Sequence, residues 1–155
     1  MENDADFVTQ IQNPSFQRGS GPTVVIDGGH NNFFVITGLI SPLIELLKSD
    51  GYTVETSSGL IDKKTLSGAD IFMVITPMSS HFAKSADNFS DAFSLDEISI
   101  LESWVQAGGR VLVFSEHYPF DVAVSGLLET FGITTSIGVT IDHNFGGTNP
   151  GNIVF

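Results

Sequence analysis

The chain has 155 residues, 41% of them hydrophobic and 15% charged, which is enough apolar surface for one packed domain and too much for a disordered chain. Its formal net charge is −12 with only six Lys and Arg, so phosphate backbones and anionic bilayers are repelled, and nucleic acid is excluded as a partner. No cysteine is present, which removes disulfides, thiolate metal sites and cysteine nucleophiles together.

Residues 1–21 are polar and rich in Asn, Gln, Ser and Gly, the composition of an arm or linker; the domain is read as 22–155. The first residues are acidic and lack the apolar stretch of a signal peptide, and no apolar run approaches the roughly 18 residues of a membrane span. Thr23 to Ile26 is a β-branched run ended by Asp27, Gly28 and Gly29, the pattern of a buried parallel strand over 23–27. Ser41 reads as an N-cap with Pro42 at the first helical position. Leu43, Ile44, Leu46 and Leu47 give one apolar face and Gly51 ends the helix, expected at 42–50. A second strand follows at 52–56, then at most one helical turn between Asp62 and Ser67.

The third strand, 70–76, is apolar throughout its centre and is therefore expected in the middle of the sheet. Residues 77–93 exceed the usual connection length and read as a mobile lid beside the strand ends, with His81 on its surface. Ser94 and Glu97 form a capping box, and Ile98, Leu101, Trp104 and Val105 follow at helical spacing until Gly108 and Gly109, giving a helix over 95–107. A fourth strand is expected at 110–114, and a further helix at Val124, Leu127, Leu128 and Phe131, closed by Gly132. Residues 133–141 read as a fifth strand, and the apolar run from Asn152 to Phe155 as either a last strand or a domain cut short.

Strands alternating with helices point to an α/β domain, with a doubly wound, mostly parallel sheet of order 2-1-3-4 between helical layers. Ligands in such sheets sit outside the carboxyl ends of the strands. That rule selects Asp27 to Asn32, Thr76 and Pro77, and Ser115, Glu116 and His117. The first and fourth strands lie two places apart, about 10 Å at roughly 4.8 Å per strand, so their loops can meet over the third. Gly28 and Gly29 allow the first loop to bend tightly and fold His30 back over the sheet edge. Asp27, His30, Glu116 and His117 are therefore expected to share one ligand, ion or water.

Glu116 and His117 are the candidate acid–base pair, with Asp27, His30 and Ser115 as ligand-binding groups. The same four acids and histidines suit a divalent Zn, Mn or Fe. Plainer readings exist for each residue: Asp27 as a turn cap, His30 as a loop histidine, and Asp142 with His143 as a solvated turn. Phe33 and Phe34 follow the site loop and could floor a ligand with apolar surface. No dinucleotide or nucleoside-triphosphate loop is present, and Ser115 lacks the flanking glycines of a nucleophile elbow.

Four segments carry a family resemblance: Asp27 to Phe33, Asp50 to Tyr52, Trp104 to Gly109, and Ser115 to Phe120. Together they resemble a group of bacterial proteins, often exported, with a class I glutamine-amidotransferase-like domain, over about residues 14–140. That group's pattern is Asp-Glu-x-His-x-Asn-x-His near the start and Asp-His-x-Pro after the fourth strand. The resemblance implies a three-layer, flavodoxin-like fold and export, and adds Asn32 to Asp27, His30, Glu116 and His117 as site residues. This chain has Gly28 in place of an acid, Phe34 in place of a second histidine, and Glu116 in place of Asp. Without a cysteine, the amidotransferase thiol mechanism is excluded.

Three functions remain in view. One is a domain that binds a small polar or carbohydrate-like ligand at the strand ends. The second is a metal-dependent hydrolase using Asp27, His30, Glu116 and His117, and the third is a non-catalytic interaction domain. Whether the chain is an enzyme stays open at this point.

Overall fold

A computed structural model describes residues 11–79, 90–116, 118 and 120–135. Four strands, β1 (Thr23–Ile26), β2 (Thr53–Thr56), β3 (Ile71–Ile75) and β4 (Arg110–Phe114), form one fully parallel sheet of order β2-β1-β3-β4. Among the described residues five helices accompany it: α1 (Phe33–Ile36), α2 (Ser41–Ser49), α3 (Leu95–Gln106), α4 (Phe120–Ala123) and α5 (Ser125–Thr130). The expected α/β class, strand order and strand direction are all present.

The two-residue repeat of the strands divides the core between the two faces of the sheet. Val24, Ile26, Met73 and Ile75 join Ile40 and the apolar side of α2. Val25, Phe72 and Val74 point the other way, onto Ile98 and Leu101 of α3 and Leu127 of α5. β3 is apolar at every position because both of its faces are covered, and Phe72 and Val74 are fully buried.

Local chemistry sets the helix ends. Ser94 accepts from the Glu97 backbone while the Glu97 carboxylate accepts from the Ser94 N–H, so the expected capping box starts α3. Its end is tight: Gly108 has φ +106°, and a side chain at Gly109 would overlap the Trp104 ring. α2 begins one residue earlier than expected. Ile40 occupies the N-cap, Ser41 is the first helical residue, and its hydroxyl donates to the Gly38 carbonyl at 2.6 Å. Pro42 is still accommodated, because the first turn has N–H groups with no intrahelical partner to lose. The one-turn helices α1 and α4 were not expected from the sequence, being too short to show a periodic apolar face.

Residues 15–21, read as arm or linker, are tied to the α2–β2 corner. The Phe16 N–H donates to the Asp50 carbonyl at 3.2 Å, and the Phe16 ring meets Tyr52 edge-on at 5.3 Å. The expected lid falls largely on 80–89, outside the described residues. Residues 133–135 carry no strand, and the rest of the expected fifth strand, like Asn152 to Phe155, lies outside the described residues. Among the described residues no helix is long and apolar enough to cross a membrane.

Gly28 and Gly29 act differently from the expectation. Neither adopts a left-handed backbone; that role falls to Asn31, with φ 49°. The two glycines instead leave room for the chain after β2. A methyl group at Gly28 would overlap the Ser57 carbonyl, and one at Gly29 would overlap the Gly59 carbonyl. Gly29→Ala is therefore expected to destabilise the fold by about 1–3 kcal/mol, the usual range for overpacking. Ala at half-buried Gly38, where an added methyl group would meet nothing within 4 Å but φ is +74°, reports the conformational cost alone. Equal losses in the two variants by chemical denaturation would contradict the close-approach account.

Candidate functional site

The loop leaving β1 turns His30 into the protein, where it is 4% exposed. Asp27, at the end of β1, is fully buried, and its two carboxylate oxygens lie 3.0 and 2.9 Å from His30 Nδ1. On the other side of the ring, Nε2 lies 2.9 Å from Glu97 Oε1, in the first turn of α3. Glu97 is as buried as the histidine. Phe93 covers the imidazole, with ring centroids 4.4 Å apart.

A neutral imidazole donates from only one nitrogen, so a ring facing two carboxylates is satisfied in both directions only as the imidazolium. Burial opposes the charge on His30, but hydrogen bonding to Asp27 and the charges of Asp27 and Glu97 outweigh it, and the pKa rises above its ordinary 6.5. Burial likewise favours the neutral form of Glu97. The backbone N–H groups of Ser94 and Ile61, the Ser94 hydroxyl and the His30 charge overcome that, and its pKa is held below the ordinary 4.5.

The rest of the cluster is equally committed. Asp27 also accepts from the Gly29 N–H at 3.0 Å and from Asn32 Nδ2 at 3.1 Å. Asn32, fully buried, accepts the Ile75 N–H through its own side-chain oxygen at 3.2 Å. The His30 carbonyl accepts from Met78 N–H at 2.9 Å. Asp27, His30 and Asn32 thus stand together as the sequence rules suggested, but with Glu97 as their fourth member.

Glu116 and Ser115 lie elsewhere. Both are exposed, and both line a cleft whose walls include Phe34, Ile40 and Leu43, on the α2 side of the sheet. His30 faces Phe93 and Glu97, on the α3 side. His117 lies outside the described residues, as do His81, Asp142 and His143. Among the described residues no group of three or more His, Cys, Asp and Glu is arranged to hold a metal ion. Of the two phenylalanines proposed as a ligand floor, Phe34 lines that cleft and Phe33 is 39% exposed.

Sequence reasoning treated Glu97 only as a helix cap. Its second role has no local signal, because its partner is 67 residues away. The available hint was its spacing: Glu97 directly precedes Ile98 and lies four residues before Leu101, on the face of α3 that is buried.

Glu97 also lines an open cleft of about 860 Å³ that runs from the carboxyl end of β2 to the first turn of α3. Six hydroxyl side chains line it, Ser57, Ser58 and Ser94 among them. Among the described residues Glu55, Asp62, Asp96 and Glu97 supply carboxylates against the cation of Lys64. A further polar feature stands at the end of β3. Thr76 has φ 42°, rare for a β-branched residue, and its buried hydroxyl has no hydrogen-bond partner among the described residues.

No family model matches the chain, and no curated protein matches it. Among solved structures it resembles one described as the mmIFT52 N-terminal domain, with a TM-score of 0.54 and 16% identity over 83% of this chain. The match spans 53% of that structure, about half its length, and at this identity it shows a shared fold.

The two pKa shifts set a pH window for stability. A raised pKa means that the folded protein holds the His30 proton more tightly than the unfolded chain does. Its contribution is complete below pH 6.5 and is lost as pH rises through the folded value. The lowered pKa of Glu97 gives a contribution present above pH 4.5 and lost as pH falls through its folded value. Denaturation at a series of pH values should show greatest stability between these limits, with a decline on the alkaline side. His30→Ala leaves two buried carboxylates without their cation and should cost about 3–5 kcal/mol near pH 6. It should also flatten the alkaline decline; an unchanged decline in that variant would contradict the assignment.

Proposed function

We propose that this domain binds a small, neutral, hydroxyl-rich ligand of carbohydrate-like chemistry in the cleft between β2 and α3. The frame is flavodoxin-like and amidotransferase-like, without the thiol. The observation that carries this reading is the cleft itself. Its volume of about 860 Å³ suits a small ligand, given that binding pockets span roughly 300–1,000 Å³. It lies beside the carboxyl end of a parallel strand, where ligands of such folds collect.

The lining argues for the ligand class. Carboxylates accept hydrogen bonds from ligand hydroxyls, and serine and threonine hydroxyls both donate and accept. Four carboxylates against one lysine disfavour an anion, so phosphorylated ligands fit poorly. Glu97 is fixed by His30, Ile61 and Ser94, which gives the cleft a polar wall that needs no reorganisation on binding. The hydrolase reading draws less support, since Asp27 and His30 spend their polar atoms on each other and on Gly29, Asn32 and Glu97.

The test is calorimetric titration with neutral mono- and disaccharides, with the corresponding sugar phosphates as controls. Saturable binding of a neutral sugar, stronger than that of its phosphate, is expected. Ser58→Trp at the exposed rim should abolish it while changing stability by no more than about 0.5 kcal/mol, as for other surface substitutions. Failure of every neutral sugar to saturate, or binding that Ser58→Trp leaves intact, would remove the proposal.

A further inference from the structure

The sheet has a second cleft on its α2 side, and its lining is of the opposite character. It encloses about 280 Å³ between α2 and the carboxyl ends of β3 and β4. Leu43, Ile75 and Phe114 belong to a mainly apolar wall, while Thr76, Ser115 and Glu116 supply its polar groups. Among the described residues Glu116 is the charged residue in the lining.

Thr76 is the unusual member. The residue is 2% exposed, and its hydroxyl is buried with no partner among the described residues. Buried hydroxyls nearly always have a partner, because leaving one without costs its desolvation. Its backbone is also strained, with φ 42° at a β-branched residue. Two hydrogen bonds hold it there: the Thr76 N–H donates to the Phe114 carbonyl at 2.9 Å, and the Thr76 carbonyl accepts from the Phe33 N–H at 3.3 Å. Strain of this kind, at the end of a central strand and beside an open cleft, marks places where a ligand is gripped. The position is also where the sheet reverses its winding, between β1 and β3.

We infer that this cleft is a binding site for a small primary amine with an apolar body, aromatic or branched aliphatic. The apolar wall takes the body. The ammonium group has three donors, enough to bond the Thr76 hydroxyl oxygen and the Glu116 carboxylate together. The one negative charge in the lining selects a cation over a neutral alcohol and rejects a carboxylate. Ser115, chosen from the sequence by its place after the fourth strand, thereby keeps a ligand-binding role with a different set of neighbours, and Glu116, read there as an acid–base group, takes one. This site is independent of the polar cleft on the α3 side, and either can fail without the other.

The test uses phenethylamine, phenethyl alcohol and phenylacetate as probes, with binding followed by amide chemical shifts in two-dimensional NMR. Phenethylamine should saturate, with shifts centred on Thr76, Phe114 and Ser115; the alcohol should bind several-fold more weakly and phenylacetate weakest. Glu116→Gln, at an exposed position, should reduce amine affinity to that of the alcohol. Thr76→Val keeps the β-branched shape and should weaken both. Ser115→Phe should close the mouth of the cleft to every probe, and it remains informative if Thr76→Val fails to fold. Three results would overturn the inference: no saturable shift with the amine, shifts centred elsewhere, or amine binding that both Glu116→Gln and Ser115→Phe leave unchanged.

Discussion

A histidine set between two buried carboxylates, its pKa raised by them above the ordinary value, draws four separated stretches of this chain to one buried point. Through Asp27 it fixes the loop after β1, and through Glu97 it fixes the first turn of α3. Asn32 extends the network to the end of β3, and Glu97 extends it to Ile61 in the segment after β2. Two carboxyl groups face one imidazole there. Backbone N–H groups of Gly29, Ile61 and Ser94 also donate to those carboxyl groups, and the positive end of the α3 dipole lies beside Glu97. A buried charge cluster of this kind contributes little net stability compared with an apolar core, yet losing one member leaves the others unpaired. Its consequence here is geometric: the strand ends are held in one arrangement, and the α3 wall of the polar cleft is held with them.

Much of the frame was legible in the sequence. Apolar runs of the right length placed all four strands, and the capping box at Ser94 and Glu97 placed the start of α3. The order β2-β1-β3-β4 followed from the handedness of parallel crossovers. The start of α2 was shifted by one residue because Ser41 and Pro42 fit either of the first positions of a helix, and sequence alone does not distinguish them. Gly28 and Gly29 were assigned to a bend, whereas the structure uses them for close approach to carbonyl groups more than 25 residues away. No local pattern encodes such a neighbour.

The site was legible by half. Strand-end rules selected the loop from Asp27 to Asn32, and Asp27, His30 and Asn32 are buried together at the edge of the sheet. They could not say to which face the His30 ring turns. That is decided by Asn31 in its left-handed conformation and by the carboxylate waiting at Glu97, a residue whose local pattern already had a complete explanation as a cap. Glu116 and Ser115 follow the fourth strand as expected, but they line the cleft on the α2 side. The sheet therefore separates two environments at one edge. One is hydroxyl-rich and acidic, and the other is apolar with a single carboxylate and a strained threonine. A net charge of −12 suits neutral or cationic ligands in both.

The central claim is the charge on His30, and the ring nitrogens report it directly. Nitrogen-15 chemical shifts of the His30 imidazole, followed by NMR across a pH titration, distinguish the imidazolium from either neutral tautomer. The account predicts two protonated ring nitrogens at pH 6, with a titration midpoint above the ordinary value of 6.5. A midpoint below 6.5 would mean that burial outweighs the two carboxylates and that the cluster is not held together by a cation.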